Sequence, residues 1–365
     1  MQNNGMNLIS TDFGTLSTGE SARLYTLSNT MGMTVRITDY GGAIVSLLVP
    51  DRNGVLGDVV LGFDSAATYE VANGYLGAVV GRVAGRIPHG VLEVDGYRYD
   101  NLVLNDGGIH HLHGGQHGFS HVLWQGTTIA DDYCVSLTLT HHSFDGEDGY
   151  PGCVDATVTY TLTDNNTLSI RYAATVDRPC PLDLTNHTYF NLSGRADTDI
   201  LSHELWVDAD RYLVSDHECI LTGALCSVEG TPFDFRVTKP IGRDIQADHP
   251  CLINAGGYDH GLVFSDATRS DSMPCRVRAY DPISGRMMEV YTDQPTMQFY
   301  TANFLNDPNF PLRGCIPQRI RLGFCLETQN FLGGIHYPDG RGFANCTVRP
   351  GELYEQTTVL RFSAH

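Results

Sequence analysis

Two alternating segments decide the fold class of this chain: Val154-Asp155-Ala156-Thr157-Val158-Thr159-Tyr160-Thr161-Leu162-Thr163 and Leu168-Ser169-Ile170-Arg171-Tyr172-Ala173-Ala174-Thr175-Val176. In both, apolar and polar residues alternate with a period of two, which is typical of a strand with one buried face. The turn-forming residues Asp164-Asn165-Asn166 lie between them. The pattern therefore predicts an antiparallel hairpin, two strands joined by a short turn.

The same alternation recurs along the whole chain. Further segments that show it are Met33–Asp39, Val91–Asp100, Cys134–His141 and Arg276–Asp281. Two more hairpins are predicted at Leu92–Tyr99, which turns at Asp-Gly, and at Cys275–Tyr291. Helical periodicity is best at Ser65–Ala72, and strands do not alternate with helices as a parallel sheet requires. We therefore expect an all-β fold, a large sandwich of antiparallel sheets, in a single domain over residues 1–365.

Charge and composition argue against several classes of partner. The 365-residue chain has a formal net charge of −19 and a pI near 5.0, whereas nucleic acids and anionic membranes attract concentrated Lys and Arg. The segment Met1–Asn7 lacks the basic start and apolar core of a signal peptide, and no run of about 18 apolar residues occurs. The ten cysteines are scattered singly, which indicates reduced thiols. We expect a soluble, cytoplasmic protein.

The stretch Leu182–Leu192 sets a histidine among polar residues. If the stretch is one strand, its apolar face carries Leu182, Leu184, Phe190 and Leu192, and its polar face carries Asp183, Thr185, His187, Tyr189 and Asn191. Hydroxyl, amide and imidazole groups on one face suit a cleft for a polyhydroxylated ligand. The alternative is that His187 is a hydrogen-bonded histidine on a solvated strand face.

A second two-faced strand is predicted at Ile320–Asn330. Its apolar face consists of Ile320, Leu322, Phe324 and Leu326. Glu327 falls on the opposite face in the company of Gln329, and it is either a solvated strand end or a carboxylate held in a cleft. Together, His187 and Glu327 would supply an acid and a base, which is the minimum for moving two protons on one substrate.

The loop Gly107–Gly118 contains four histidines between glycines. The spacing of His110, His113 and His117 suggests a metal site, but a loop so rich in glycine gives little rigidity to fix imidazoles at about 2 Å from an ion. We favour a loop whose backbone approaches a sugar closely, with His113 as a hydrogen-bond donor. No metal is predicted.

Three further motifs carry candidate ligand-binding groups: Gly81–Ile87, Gly257–His260 and Thr296–Thr301. The first lacks the Gly-Lys-Ser/Thr ending of a phosphate loop. Its arginines either act as donor forks for ligand oxygens or form surface ion pairs. Asp259 in the second motif is equally compatible with an ordinary turn.

Six motifs occur in order along nearly the whole chain: Gly-Arg-x-x-x-Arg-Ile, Leu-His-Gly-Gly, Asn-His-Thr-Tyr-Phe-Asn-Leu, Gly-Tyr-Asp-His, Gln-Phe-Tyr-Thr and Gly-Phe-Cys-Leu-Glu-Thr-Gln. In this combination the chain resembles the galactose mutarotase (aldose 1-epimerase) family. The resemblance implies the large galactose-mutarotase-like β-sandwich, or supersandwich. It also implies interconversion of the α and β anomers of galactose, or of glucose or another aldohexose, without a cofactor.

The resemblance also implies roles for individual residues. Glu327 would be the base that takes the proton from the C1 hydroxyl, and His187 the acid that protonates the ring oxygen. Ordinary pKa values would then give a bell-shaped pH profile with its acidic limb from Glu327 and its basic limb from His187. The implied sugar-binding residues are Gly85, Arg86, His113, Thr188, Tyr189, Asp259 and Gln298. Gly85 departs from the Asn that is frequent in the family motif.

Two other functions are open at this level. A hexose-phosphate 1-epimerase would need additional cationic groups at the cleft, and the chain has only 23 Lys and Arg residues. A non-catalytic sugar-binding or regulatory protein would have no need of both Glu327 and His187. The expected partner is a small-molecule sugar, with no nucleic acid and no membrane, and the expected assembly is a monomer or a homodimer.

Overall fold

A computed structural model of the chain describes residues 6–265, 273–331 and 345–365, so most of the amino-terminal segment Met1–Asn7 lies outside it. The described chain is dominated by strands. The strands of its first half are β1 (Asn7–Thr15), β2 (Ser21–Ser28), β3 (Thr34–Thr38), β4 (Ile44–Pro50), β5 (Leu56–Asp58), β6 (Val79–Val80), β7 (Arg86–Ile87), β8 (Leu92–Val94), β9 (Tyr97–Tyr99), β10 (His111–Leu112), β11 (Gln125–Ala130), β12 (Cys134–Ser143), β13 (Val154–Thr163) and β14 (Thr167–Val176).

The second half continues the same architecture. Its strands are β15 (Cys180–Pro181), β16 (Thr185–Asn186), β17 (Glu204–Val207), β18 (Ala209–Ser215), β19 (Leu221–Ser227), β20 (Lys239–Pro240), β21 (Asp259–Phe264), β22 (Cys275–Tyr280), β23 (Arg286–Thr292), β24 (Thr296–Tyr300), β25 (Cys325–Gln329), β26 (Thr347–Val348) and β27 (Tyr354–Ala364). The described residues form two short α-helices, α1 (Ala66–Val71) and α2 (Pro250–Ala255). No helix in the described residues is long and apolar enough to cross a membrane.

Three large antiparallel sheets organise these strands. A nine-stranded sheet has the order β11-β12-β13-β14-β27-β23-β22-β17-β20, and two five-stranded sheets have the orders β1-β2-β3-β4-β5 and β19-β18-β21-β24-β25. The β13–β14, β8–β9 and β22–β23 hairpins form as the turn signals predict. The all-β, antiparallel prediction is therefore confirmed.

The core lies between sheets, where the alternating residues of β13 and β14 are buried. Tyr160 and Tyr172 belong to the same apolar cluster as Ile37 and Leu47 of the first five-stranded sheet. The Tyr160 hydroxyl donates to the Gly42 carbonyl at 2.7 Å, so the polar end of this fully buried side chain is satisfied. The period of two thus determines which face of each strand joins the core.

The predicted helix at Ser65–Ala72 is confirmed as α1. The Ser65 side chain accepts a hydrogen bond from the Thr68 backbone N–H at 3.3 Å, which is an ordinary N-cap. The second helix, α2, was not predicted from the sequence.

The prediction of a single strand over Leu182–Leu192 is wrong. Only Thr185–Asn186 forms a strand there, paired with β6, while the Asp183 N–H donates to the Arg82 carbonyl and the Phe190 N–H donates to the Phe324 carbonyl. Different partners therefore interrupt the ladder. The polar face is also not solvated: its five residues, Asp183, Thr185, His187, Tyr189 and Asn191, are all buried.

The strand predicted at Ile320–Asn330 is shorter than expected. Strand β25 begins at Cys325, and Ile320 is 50% exposed, so the apolar face does not extend that far back. All five residues of β25 are buried, which makes both of its faces interior. Glu327 is therefore not at a solvated strand end but inside the protein.

Candidate active site

A cavity of about 530 Å³ lies over the sheet β19-β18-β21-β24-β25. Loop and strand-end residues between Asn73 and His113 line it, and so does the segment that carries His187. A cavity of this size is in the range typical of small-molecule sites.

Strands β21, β24 and β25 bring three polar side chains together in the cavity. Asp259 pairs with Tyr300 across the first two strands, and Gln298 pairs with Glu327 across the next two. Directly paired residues on neighbouring strands have Cβ atoms about 5 Å apart, so both Gln298 and Glu327 face the same ligand volume. The Gln298 amide donates to an Asp259 carboxyl oxygen at 2.7 Å, which links β24 to β21.

His187 is fixed beside Glu327. Its Nε2 is 3.6 Å from Glu327 Oε1, and its Nδ1 is 3.5 Å from the Cys325 sulfur. The rings of Tyr75 and Tyr189 lie 6.0 Å and 5.1 Å from the imidazole. Both the imidazole and the carboxyl are almost wholly buried, so the pair is shielded from bulk water.

His113 comes from the histidine-rich loop and meets His187 edge to face, with ring centroids 5.4 Å apart. The Gly85 N–H donates to His113 Nδ1 at 3.2 Å, and the His113 N–H donates to the Gly85 carbonyl at 3.0 Å. Because Nδ1 accepts a hydrogen bond, the neutral ring carries its own hydrogen on Nε2. The Nε2–H of His113 can therefore donate a hydrogen bond to a ligand.

Arg86 adds a positive charge to the cavity wall. Its Nε donates to an Asp106 carboxyl oxygen at 2.6 Å, and both residues line the cavity. Burial lowers the Arg86 pKa, but the negative charges of Asp259 and Asp106 outweigh this and raise it. Burial raises the pKa of Asp259, although Arg86 and the Gln298 hydrogen bond oppose the rise.

The interior position shifts the acid and the base toward their neutral forms. Burial raises the pKa of Glu327 well above its ordinary value, and the nearby Asp259 raises it further. Burial lowers the pKa of His187 to about 4. Burial also lowers the pKa of His113 well below the ordinary value, with smaller contributions from the charges of His187 and Arg86. Each shift has the direction that removal from water produces.

The cavity gathers most of the residues singled out in the sequence. Those that line it are Gly85, Arg86, His113, His187, Tyr189, Asp259, Gln298 and Glu327. Thr188 is buried but is not among the lining residues, and its hydroxyl donates to the side chain of Asn186. Sequence reasoning assigned no role to several other lining residues, among them Tyr75, Asn105, Asp106 and Tyr300. Tyr300 lies within the Gln-Phe-Tyr-Thr motif, which was the one available signal for it.

The histidines that suggested a metal are not brought together. His110 Nε2 lies 4.0 Å from Glu218, and the exposed His117 lies 3.6 Å from Asp148. A different set, His113, His187 and Glu327, has one ligand atom from each residue within 4.8 Å of the others. Two imidazoles and a carboxylate are a ligand set that zinc accepts, so this set could hold an ion.

Gly85 has a backbone conformation that restricts substitution. Its φ is +79°, in the left-handed region, where alanine is strained by about 1–2 kcal/mol and asparagine by less. We expect Gly85→Ala to lower the melting temperature and kcat/KM, because the Gly85 N–H and carbonyl hold the imidazole and the N–H of His113. Gly85→Asn should cost less stability. If its amide reaches the sugar, kcat/KM should rise roughly two- to tenfold.

Thermal unfolding and kcat/KM on both Gly85 variants check this prediction. Equal losses of stability in Gly85→Ala and Gly85→Asn would show that the left-handed backbone does not govern the substitution. Unchanged melting temperatures in both variants would contradict the strain argument altogether.

Comparisons with known proteins show which family the chain is similar to. The family model described as aldose 1-epimerase matches residues 23–361. The galactose mutarotase of Rattus norvegicus is 39% identical over 353 residues, which cover 97% of this chain and 98% of the rat protein. The aldose 1-epimerase of Escherichia coli K12 is 37% identical over 347 residues, with coverage of 95% and 96%.

Solved structures give the same result at the level of the fold. A galactose 1-epimerase from Lactobacillus acidophilus superposes with a TM-score of 0.83 at 26% identity, covering 98% of this chain and 99% of that one. A galactose mutarotase/aldose epimerase homologue from C. elegans gives a TM-score of 0.79 at 28% identity, again over 98% and 99%. The resemblance drawn from the six motifs is confirmed, and the chain belongs to the aldose 1-epimerase family.

Proposed function

We propose that this protein is an aldose 1-epimerase that interconverts the α and β anomers of galactose, and of glucose or other aldohexoses. The observation that carries the proposal is the buried carboxyl–imidazole pair, with Glu327 Oε1 and His187 Nε2 separated by 3.6 Å at the wall of a sugar-sized cavity. Gln298, Asp259, Arg86 and His113 supply the donors and acceptors that hydroxyl groups require.

The proposed reaction moves two protons on one sugar. The Glu327 carboxylate takes the proton from the C1 hydroxyl while the protonated His187 gives its proton to the ring oxygen, and the C1–O5 bond breaks to leave an open-chain aldehyde. Rotation about C1–C2 presents the other carbonyl face. Closure then returns the proton from Glu327 to O1 and takes the proton from O5 back to His187. Each positioned group typically accelerates such a step by about 10²–10⁴-fold.

The shifted pKa values do not prevent this assignment. The reactive pair, with Glu327 ionised and His187 protonated, contains the same number of protons as the neutral pair that burial favours. A single proton passing from carboxyl to imidazole converts one into the other. The two groups therefore titrate as a coupled unit, and their macroscopic pKa values belong to the pair.

The pH dependence of kcat/KM should reveal this shared proton. Activity is lost when a second proton binds, near the His187 pKa of about 4. Activity is also lost at a pH near the raised pKa of Glu327, where the pair loses its single proton. We therefore expect a bell whose acidic limb belongs to His187 and whose basic limb belongs to Glu327, the reverse of the order that ordinary pKa values give.

Infrared difference spectroscopy assigns the limbs independently of the kinetics. The spectrum of the wild type minus that of Glu327→Gln, recorded at about pH 5.5, should contain the band of a protonated carboxyl group. An ionised carboxylate band at that pH, together with a basic limb near the ordinary histidine pKa of about 6.5, would show that the pKa order is not inverted.

Polarimetry tests the function itself. Addition of the protein to freshly dissolved α-D-galactose should accelerate the decay of optical rotation to its equilibrium value. Galactose binding without acceleration would instead favour a non-catalytic sugar-binding protein.

A hexose-phosphate 1-epimerase is less well supported by the charges of the cavity. Among the described lining residues Arg86 is the only Lys or Arg, and three carboxyl groups share the cavity, namely Asp106, Asp259 and Glu327.

The composition of the chain supports a proposal about the compartment and the partners of the enzyme. We propose a cytoplasmic enzyme of one domain over residues 1–365, acting as a monomer or homodimer with no nucleic acid or membrane partner. Ten free thiols suit a reducing compartment, and a net charge of −19 disfavours polyanionic partners. The site draws on residues from Asn73 to Gln329, which supports a single unit over that range.

A further inference from the structure

Four buried polar atoms on residues that line the cavity have no hydrogen-bond partner in the described part of the chain. They are Oε1 of Gln298, both amide atoms of Gln329, and Nε2 of His260. Buried polar groups are almost always hydrogen-bonded, because an unpaired one has lost its water without compensation. Unpaired buried atoms also occur away from the cavity, for example on His141 and His203, but these four belong to residues of the cavity wall.

Gln329 is the clearest case. Its side chain is 1% exposed, and neither Oε1 nor Nε2 has a partner among the described residues. Its backbone carbonyl, by contrast, accepts the Thr296 hydroxyl at 3.0 Å. The main chain is thus satisfied, whereas both atoms of the side-chain amide are buried without a partner, on a residue of the cavity wall.

The place of Gln329 on β25 relates it to the proposed base. It lies two residues after Glu327, so both side chains leave the strand on the same face. Residues two apart on a strand are separated by about 7 Å. An amide at that distance reaches a different part of a ligand from the part that Glu327 contacts.

We propose that Gln329 is a substrate-binding and specificity-determining residue that holds one sugar hydroxyl other than the C1 hydroxyl. The amide offers both a donor and an acceptor, and a hydroxyl group matches either. Sugars that lack this hydroxyl leave the buried amide unpaired and are rejected. The inference rests on the proposed aldose 1-epimerase function and specifies how the same cavity selects its substrate.

The test compares wild type with Gln329→Met, a substitution of similar length and shape without hydrogen-bonding capacity. Polarimetry gives kcat/KM for galactose and for its 2-, 3-, 4- and 6-deoxy analogues. We expect the variant to lose roughly 10- to 100-fold on galactose. On one deoxy analogue, the variant and the wild type should be equal, which identifies the hydroxyl that Gln329 holds.

Gln356→Met is the matched control. Gln356 is an equally buried amide outside the cavity lining, and its Nε2 donates to the Thr328 carbonyl at 2.9 Å while its Oε1 accepts from the Tyr354 hydroxyl at 2.6 Å. This variant should have a lower melting temperature but the same relative kcat/KM across all five sugars.

Two results would overturn the proposal. An equal loss in Gln329→Met on all five sugars would show a purely structural role, and no loss at all would show that the amide pairs only with water. Titration calorimetry with the same sugars separates this failure from failure of the proposed function. If the wild type binds galactose without accelerating mutarotation, the selective loss of affinity in Gln329→Met still decides the role of this residue.

Discussion

Glu327→Gln should lower kcat for galactose by about 10²–10⁴-fold while galactose binding stays measurable. The amide keeps the shape of the side chain and its place opposite Gln298 on β24, but it cannot take a proton from the C1 hydroxyl. His187→Asn should have an effect of similar size, because it removes the group that exchanges a proton with the ring oxygen. Polarimetry for kcat and calorimetry for affinity distinguish lost chemistry from lost binding.

Two control variants test whether these losses are specific to the pair. His203→Gln changes another buried histidine, whose Nε2 accepts the Leu192 N–H at 2.9 Å and whose pKa burial lowers to about 4. Glu289→Gln removes a carboxylate that pairs with Arg361 on the nine-stranded sheet. Neither residue lines the cavity, so kcat should be unchanged in both. Near-normal turnover in Glu327→Gln or His187→Asn would refute the assigned acid–base roles.

Arg82→Met should destabilise the protein by about 3–5 kcal/mol, because several carbonyls lose their donor and each such loss costs about 1–3 kcal/mol. Arg82 is 2% exposed and donates to the carbonyl oxygens of Phe144, Pro151 and Gly152 at 2.8, 3.1 and 2.8 Å, and it also donates to the Ser143 hydroxyl. These groups belong to the last residue of β12 and to the connection that leads to β13. Methionine fills part of the volume but leaves the carbonyls buried without donors.

Denaturant unfolding with fluorescence detection measures this loss. Arg171→Met is the control, since Arg171 is more than half exposed and its pair with Glu355 is a surface ion pair worth about 0–1 kcal/mol. A loss below about 1 kcal/mol in Arg82→Met would mean that water replaces the guanidinium in this loop.

Local signals were sufficient to predict much of the fold. The Asp95-Gly96 turn has φ values of +50° and +81°, the double left-handed conformation that favours Asp-Gly in tight hairpins. A two-residue signal of this kind needs no information from the rest of the chain. The Leu182–Leu192 stretch failed because its backbone partners, Ala78 and Phe324, lie far away in sequence. Alternation predicts extended chain, but not which segments interrupt its ladder.

The site shows the same division between local and distant information. The motifs were sufficient to predict His187, Glu327 and the residues that surround them as parts of the site, because the types of side chain and their order are properties of the sequence. The inverted pKa order was not predictable, since it depends on burial that appears only after the sheets assemble. Gln329 was noted beside Glu327, but its unpaired amide is visible only once its surroundings are known.

The position of β27 bears on how the protein is made in the cell. This strand pairs with β14 on one side and β23 on the other, in the middle of the nine-stranded sheet, yet it follows all the other strands described here in sequence. Because Thr167 of β14 pairs with Arg361, ribosomes working at about 5–20 residues per second leave that edge open for roughly 10–40 s. A growing chain thus carries two incomplete half-sheets with unpaired apolar strands, which are prone to join other nascent chains. The yield of active protein should therefore respond to chaperone supply and to expression temperature.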